Sequence, residues 1–550
     1  MRRLDRVERA VVALTALAVL ARLIGLGTRP FHWDEARVGY WTLRSLETGV
    51  YEYRPVAGGP FLYIVGRQLF ALGLTSDAAA RLPVALIGGL LPLSALLFRR
   101  ATDRESHGGL SGTETVALAG VLALAPPLLY YSRVFRGDLP LAAFSLLAVG
   151  FAWRGWNRDS RRSLYAAAGA VGLALTTSGF VFAVLGCWLL AAVLTLDGAR
   201  VRGEDSAALR QRVRSIADGV AERSVGLLRA AAVAVVVALA FYLPRGRIDL
   251  GDPATLLTAL QAGTVGAVQR FLSVRVLGRH APPTYANDHA LLPFVAGTAE
   301  VLLAAALPVV ALAVWGFFRE RYAGWSRPLV NFGAYWAGAG LLLFPVASEV
   351  NEPWVAVHVL VPATIPAAVG LAALWRTAAE SVTVGDAARV GAALLLLSAV
   401  GVHSGAVIAG EVYDDPAADD ALPGYAQPGF EYRAAVTAIE SAVSGNEGTG
   451  VLYVGEEIAV DDESVLDRPP VPERARDAFS ARLPLSWYVE RAGAETASVP
   501  RPGGAPESPP RVVVTTPEHR LAVDDRLSGY ESYAIEQGLT NRRLIVFVAE

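Results

Sequence analysis

Apolar runs of spanning length recur along the chain near residues 10–27, 77–98, 114–131, 138–153, 164–177, 180–196, 227–243, 293–318, 328–346, 354–375 and 388–410. About 20 apolar residues cross a bilayer, so the pattern predicts a mainly α, polytopic transmembrane protein of about eleven spans. Two runs are short, and 164–196 can also be read as one long helix. Residues 28–76 form a long loop between the first two runs. Within it, Pro60–Gly73 is apolar but too short to cross, and Ala36–Thr48 sets Val38, Tyr40, Trp41, Leu43 and Leu46 at mixed helical spacing. Both segments read as helices lying at the membrane interface.

Beyond residue 410 the pattern changes. Val451–Val454, Arg511–Val514 and Leu544–Val548 are short apolar runs of the kind that form buried strands. Residues 431–443 and Ser486–Ala492 read as helices between them, and Pro500–Pro510 as a Pro/Gly loop. The expected organisation is a membrane domain over 1–410 and a small α/β domain over 411–550 that carries no catalytic group. Trp487 and Tyr488 suit either a docking surface or that domain's own core. No internal repeat is visible.

Charge orients these elements. Arg2, Arg3, Arg6 and Arg9 precede the first run, and Arg99, Arg100 and Arg104, then Arg154, Arg158, Arg161 and Arg162, then the 200–229 stretch, fall on one side of the membrane. The positive-inside rule makes that side cytoplasmic. The expectation is a multi-pass cell-membrane protein with a cytoplasmic N-terminus and with the 28–76 loop and the 411–550 domain outside. The first run lacks a following small-residue cleavage site and reads as a retained anchor. A net charge of −2 conceals a division, because residues 411–550 carry 25 acids against 12 arginines and lysine is absent throughout. Such a surface suits a salt-adapted, halophilic setting. Asp414, Asp415, Asp419 and Asp420 lack calcium-loop spacing and belong to that solvated surface. A single cysteine, Cys187, excludes a disulfide framework or a thiolate metal cluster within the chain.

Three polar groups are set against this apolar background. Phe31-His32-Trp33-Asp34-Glu35 follows the first run and puts two adjacent carboxylates at a membrane boundary. Solvated acids at a helix start would account for them; a catalytic base would account for them as well. Tyr130-Tyr131-Ser132-Arg133-Val134-Phe135-Arg136-Gly137-Asp138 brings two arginines, three residues apart, to the same predicted outer side. Guanidinium binds phosphate through paired charge-assisted bonds, whereas an interfacial arginine can also snorkel to head groups. Glu349-Val350-Asn351-Glu352-Pro353-Trp354 with His358 forms the third group, and Glu300 lies within a predicted span. No Walker loop, dinucleotide fingerprint, HExxH or GxSxG occurs, so a transfer reaction here needs a donor activated elsewhere and delivered through the membrane.

An acid pair in the first external loop, two interfacial helices, an arginine-bearing second external turn and about eleven spans resemble the GT-C superfamily, which includes protein O-mannosyltransferases and lipid A aminoarabinose transferases. Pro30–Arg100 looks most similar to an archaeal branch associated with flippase activity in N-glycosylation. The resemblance implies a GT-C-like fold with an extracytoplasmic C-terminal domain. It also implies transfer of a sugar from a polyprenyl (dolichyl) phosphate carrier to an acceptor. Asp34, with Glu35 beside it, takes the catalytic place, and Arg133 and Arg136 meet the departing phosphate. His32, Arg37, Arg54, Tyr131, Asp138, Glu300, Glu352, Trp354 and His358 complete the expected substrate-binding set. Where many members carry Thr-Lys-Gly or Thr-Lys-Glu this chain has Thr177-Ser178-Gly179, and Gly58-Gly59 precedes Pro60 where a basic residue is common. The expected partners are a polyprenyl-phosphate-linked sugar, the bilayer and proteins of a glycosylation pathway, with no nucleic acid. No cofactor is expected, and a divalent metal is left open. Two other readings compete: a catalytically silent component that assists flipping or handling of lipid-linked sugars, and an assembly scaffold.

Overall fold

The computed structural model describes residues 4–53, 58–100, 108–196, 206–246, 253–271, 291–322, 326–348, 351–417, 419–424, 427–446, 448–467, 471–537 and 543–549. The eleven apolar runs are all helical. The first four helices are α1 (Arg6–Leu23), α2 (Trp33–Glu47), α3 (Pro60–Ala71) and α4 (Asp77–Leu90), the last continuing through a tight turn to Phe98. Next come α5 (Gly112–Leu124), α6 (Pro126–Tyr131), α7 (Asp138–Asn157), α8 (Arg161–Thr177) and α9 (Val181–Leu196). The chain breaks between α8 and α9, so 164–196 is two helices. After them come α10 (Ser206–Glu222), α11 (Ser224–Tyr242), α12 (Pro253–Gly263), α13 (Val265–Phe271), α14 (Leu291–Tyr322), α15 (Pro328–Ala347), α16 (Val355–Val384) and α17 (Ala387–Val407).

Among the described residues, seven helices are long and apolar enough to cross a membrane: Asp77–Phe98, α7, α11, α14, α15, α16 and Ala387–Val412. The count of about eleven spans is not established. Helix α1 carries Arg6, Glu8, Arg9 and Arg22, and the helices over 112–124 and 181–196 are apolar but short. Burial ranks the helices: α16 is almost wholly buried along its apolar stretch and forms the axis of the bundle, whereas α11 is almost wholly unburied along its own and faces outward.

Local chemistry sets the helix starts that matter. Ser76 caps α4 by accepting the Ala79 N–H, and His32 caps α2 by accepting the Asp34 N–H at Nδ1. Glu35 reaches back to the His32 N–H and closes the capping box. The segment read as two interfacial helices is α2 and α3.

The C-terminal region contains α18 (Tyr432–Val443), α19 (Glu473–Arg482), α20 (Leu485–Arg491) and a five-stranded sheet. Its strands are β1 (Thr449–Val454), β2 (Glu495–Val499), β3 (Val512–Thr515), β4 (Tyr530–Glu536) and β5 (Arg543–Ala549), in the order β2-β1-β3-β5-β4. β1 runs parallel to β2 and β3, and β5 antiparallel to β3 and β4. The three strands expected from apolar runs are β1, β3 and β5; the polar edge strands β2 and β4 were not. One sheet face, with Tyr453, Val512, Val514 and Val546, joins the core of the helical bundle, while Leu452, Val454, Val513 and Phe547 form a separate cluster on the other face. This is the alternation a two-faced strand requires.

Candidate functional site

Three chain segments converge at one end of the bundle: the start of α2, the turn between α6 and α7, and the start of α16. The two acids of the first loop are adjacent in sequence and differ completely in surroundings. Glu35 has no exposed surface. Arg81 of α4 grips it, Nε to Oε1 at 2.8 Å and Nη2 to Oε2 at 2.6 Å, and the backbone N–H groups of His32 and Phe135 donate to it as well. Burial alone would raise its pKa, but the Arg81 charge and these bonds hold it below the usual carboxylate value. Every lone-pair direction is engaged, so Glu35 fastens α2 to α4 and to the α6–α7 turn and has no free oxygen for substrate.

Asp34 is open by comparison, with 16% of its side chain exposed. Arg136 donates to Oδ2, and Arg37 Nη2 to Oδ1 at 3.2 Å. Burial would raise its pKa; Arg136, then Arg37, hold it down at about 2. Arg136 also donates from Nε to Asp138 Oδ2 at 3.0 Å, and His358 Nε2 lies 3.4 Å from Asp138 Oδ1. The result is a chain of alternating charges, Arg37–Asp34–Arg136–Asp138, ending on a buried imidazole that stacks on Phe344 at 4.4 Å. The Arg136 guanidinium lies 3.6 Å from the centre of the Trp354 ring, which covers its face and leaves its edge for anionic oxygens.

His32 packs edge-on to Trp354 with centroids 5.9 Å apart. Burial lowers its pKa to about 4, so the ring is neutral near pH 7. A neutral imidazole that accepts at Nδ1 carries its proton on Nε2. The segment joining bundle and sheet passes directly over this ring. A Cβ at Gly424 would stand 3.0 Å from His32 Nε2, 3.0 Å from Trp354 and 3.5 Å from Glu352 Oε2. Tyr131 ties the same segment down through its hydroxyl, which donates to the Leu422 carbonyl at 2.6 Å.

The structure therefore brings His32, Asp34, Arg37, Tyr131, Arg136, Asp138, Glu352, Trp354 and His358 to one place. Arg133 turns the other way. Its guanidinium donates to the carbonyls of Ala21, Arg22, Ile24 and Gly25 and closes the C-terminal end of α1. Glu300 is exposed on α14, outside this cluster. Arg54 lies outside the described residues. Among the described residues, no group of three or more His, Cys, Asp or Glu side chains is arranged to hold a metal ion.

Two residues that organise the site were not among the sequence candidates. Arg81 is a fully buried arginine inside an apolar run, and its cost there was the signal available. Asp77, 2% exposed, accepts from Trp487 Nε1 (2.9 Å), Tyr488 Oη (2.9 Å), Arg491 Nη1 (2.7 Å) and Arg433 Nη2 (2.6 Å), four donors supplied by the C-terminal region. Trp487 stacks on Phe31 at 5.0 Å, and the Phe31 N–H donates to Tyr488 Oη at 2.8 Å. The Trp487 ring also lies so close to α2 that a Cβ at Gly39 would be 2.7 Å from it. Trp487 and Tyr488 are docking residues, and α20 braces the helix that carries Asp34.

Residues 432–549 match the family described as Agl23 flippase-associated protein C-terminal domain. No curated protein matches the chain in sequence. Among solved structures, ArnT from Cupriavidus metallidurans bound to undecaprenyl phosphate is similar with a TM-score of 0.57 at 19% identity, over 98% of this chain and 97% of that one. The apo state of the same protein gives 0.55 at 18% identity, over 98% and 97%. The archaeal oligosaccharyltransferase AglB from Archaeoglobus fulgidus, in complex with an inhibitory peptide and a dolichol-phosphate, gives 0.48 at 16% identity over 95% of this chain and 72% of that one. The likeness to ArnT runs nearly the full length of both chains, and this chain has the same GT-C-like membrane-protein fold.

Proposed function

We propose that the chain is a membrane glycosyltransferase that moves a sugar from a polyprenyl phosphate carrier to an acceptor hydroxyl at the Asp34 end of the bundle. The observation that carries this reading is Arg136 held between Asp34 and Asp138 with Trp354 against its face. A protein of the same fold is described as bound to undecaprenyl phosphate, which supports the donor class. The lipid phosphate competes with Asp34 for Arg136, while Asp138 keeps the guanidinium in place through Nε. Loss of that partner raises the pKa of Asp34 from about 2 and makes it a better base. Asp34 then takes the proton of the acceptor hydroxyl as its oxygen attacks the anomeric carbon. The bond from that carbon to the phosphate oxygen breaks, and the polyprenyl phosphate leaves with its charge on Arg136. The reading places the 28–76 loop and the C-terminal domain on the outer face of the membrane. The acidic, lysine-free C-terminal region and its family match support an archaeal, salt-adapted source.

The test is mass spectrometry of glycans and lipid-linked sugars from a deletion strain, its parent and a strain carrying Asp34→Asn. The expected result is accumulation of a sugar-charged lipid and glycans short of that sugar in both the deletion and the variant. Normal glycans in the variant would reject Asp34 as base. A second reading, a silent component that helps handle lipid-linked sugars, is favoured by one feature. Thr177 and Ser178 line the wall beside the cluster where a lysine is common in such proteins, with the Gly59 N–H bonded to the Thr177 carbonyl at 2.8 Å. That reading expects Asp34→Asn to behave as the parent.

A further inference from the structure

The helix α10 is at the end of the bundle opposite the acid cluster. The chain leaves the cluster at Val181, where α9 begins just after the Thr177 carbonyl that Gly59 contacts. It returns along α11 to the Tyr51–Arg245 bridge. Between these two apolar helices, Arg223 pins the end of α10 to the far end of α7. It pairs with Asp159 at 3.2 Å, and its guanidinium lies 4.9 Å from the Trp156 ring centre.

The sequence of α10 sorts by face. Leu209, Val213, Ile216 and Val220 follow the spacing of a single apolar stripe. Val213, Ile216 and Val220 are 47%, 47% and 44% exposed. At about 100° per residue, Arg210 and Arg212 fall on either side of the stripe, while Arg214, Asp218 and Glu222 fall on the opposite face. The apolar helices on both sides are themselves turned outward, with Leu189, Val193, Leu228 and Val236 exposed. The α10 stripe is thus exposed apolar surface on a helix that lies in sequence between two outward-facing apolar helices. Arg158, Arg161 and Arg162 at the neighbouring α7–α8 turn are exposed too and extend the basic surface.

We propose that α10 lies flat on an anionic lipid surface at this end of the bundle, with the Val213–Ile216–Val220 stripe in the acyl boundary and the flanking arginines on phosphate head groups. Arginine suits that position because its stem can follow the apolar surface while its planar head reaches phosphate oxygens. An amphipathic helix bound in this way depends on both apolar burial and lipid charge. The charged face opposite the stripe, with Arg214, Asp218 and Glu222, turns toward water.

The test uses the full chain with Cys187→Ala in nanodiscs, made either from phosphatidylcholine or from phosphatidylcholine mixed with phosphatidylglycerol. Single cysteines introduced as Val213→Cys, Ile216→Cys or Glu222→Cys carry spin labels, and accessibility to oxygen is compared with accessibility to a water-soluble nickel complex. In the anionic discs, the first two labels should be several-fold more accessible to oxygen than to nickel, and the third the reverse. Arg210→Gln combined with Arg212→Gln, or phosphatidylcholine alone, should move the first two labels toward nickel access. Three results would each overturn the proposal: nickel access at 213 and 216 in anionic discs, indifference to lipid charge, or exclusion of both reagents, which would mean that protein covers the stripe.

Discussion

Arg81 and Glu35, 46 positions apart, form a buried pair with two parallel bonds, and the same arginine donates to the carbonyls of Leu26, Arg29 and Pro30. The turn between α1 and α2 is thus wrapped around one guanidinium. Glu35→Ala should leave that charge without its carboxylate and cost about 3–5 kcal/mol, the range for breaking a buried ion pair. Thermal unfolding of the purified protein should show a clear drop in midpoint. A midpoint unchanged within error would mean that Glu35 does not anchor the turn.

Asp34→Asn should differ in kind. Asparagine keeps the size and one acceptor at a partly exposed position, so expression, membrane insertion and thermal midpoint should stay near those of the parent, while sugar transfer is lost. Arg136→Ala should lose transfer as well, through loss of the phosphate partner, and weaken binding of the lipid donor. Arg133→Ala should lower the thermal midpoint by opening the end of α1. Donor affinity that falls with Arg133→Ala as steeply as with Arg136→Ala would count against this division of labour.

Asp77 couples the two halves of the molecule. Asp77→Ala removes the shared acceptor of four donors: Trp487 Nε1, Tyr488 Oη and Arg491 Nη1 lose it, at about 1–3 kcal/mol for each buried group left unmet, whereas Arg433 keeps the carbonyls of Gly27 and Arg29. Hydrogen exchange should rise together in α20 and in the first turns of α2. Truncation after Gly410 should likewise disturb α2, because it strips Trp487 from Phe31 and from Gly39. Unchanged exchange in α2 in either variant would show that the C-terminal region only covers the site.

Glu490 predicts a pH dependence. It is nearly buried and shares the single guanidinium of Arg44 (2.9 Å from Nε) with the exposed Glu47 and Asp467. Burial, outweighing the pull of Arg44 and aided by these two acids, raises its pKa to about 8. A carboxyl whose pKa is higher folded than unfolded contributes stability at low pH and loses it as pH rises through the folded value. Stability should therefore fall between about pH 4.5, the ordinary glutamate value, and about pH 8. Glu490→Gln should flatten that slope, as measured by thermal midpoints across the interval; an identical slope in the variant would remove Glu490 as its source.

The apolar period along the chain was enough to place the helices of the eleven runs, both loop helices and the three inner strands, because each of these needs an apolar surface, turned to the core or outward, that marks its own sequence; it did not place α10, α12 or α13. It also located the acid pair and gathered most of the polar cluster. It did not reach the edge strands β2 and β4, whose residues are half exposed and polar and which exist because inner strands offer them hydrogen bonds. It could not divide Asp34 from Glu35, or Arg133 from Arg136, since neighbours of equal chemistry acquire different roles only from what lies opposite them. Arg81 meets Glu35 across 46 positions, Arg136 meets Asp34 across 102, and Tyr488 meets Asp77 across 411. Hydrophobic burial is written locally and periodically, whereas a buried charge takes its meaning from a partner that only tertiary packing brings within bonding distance.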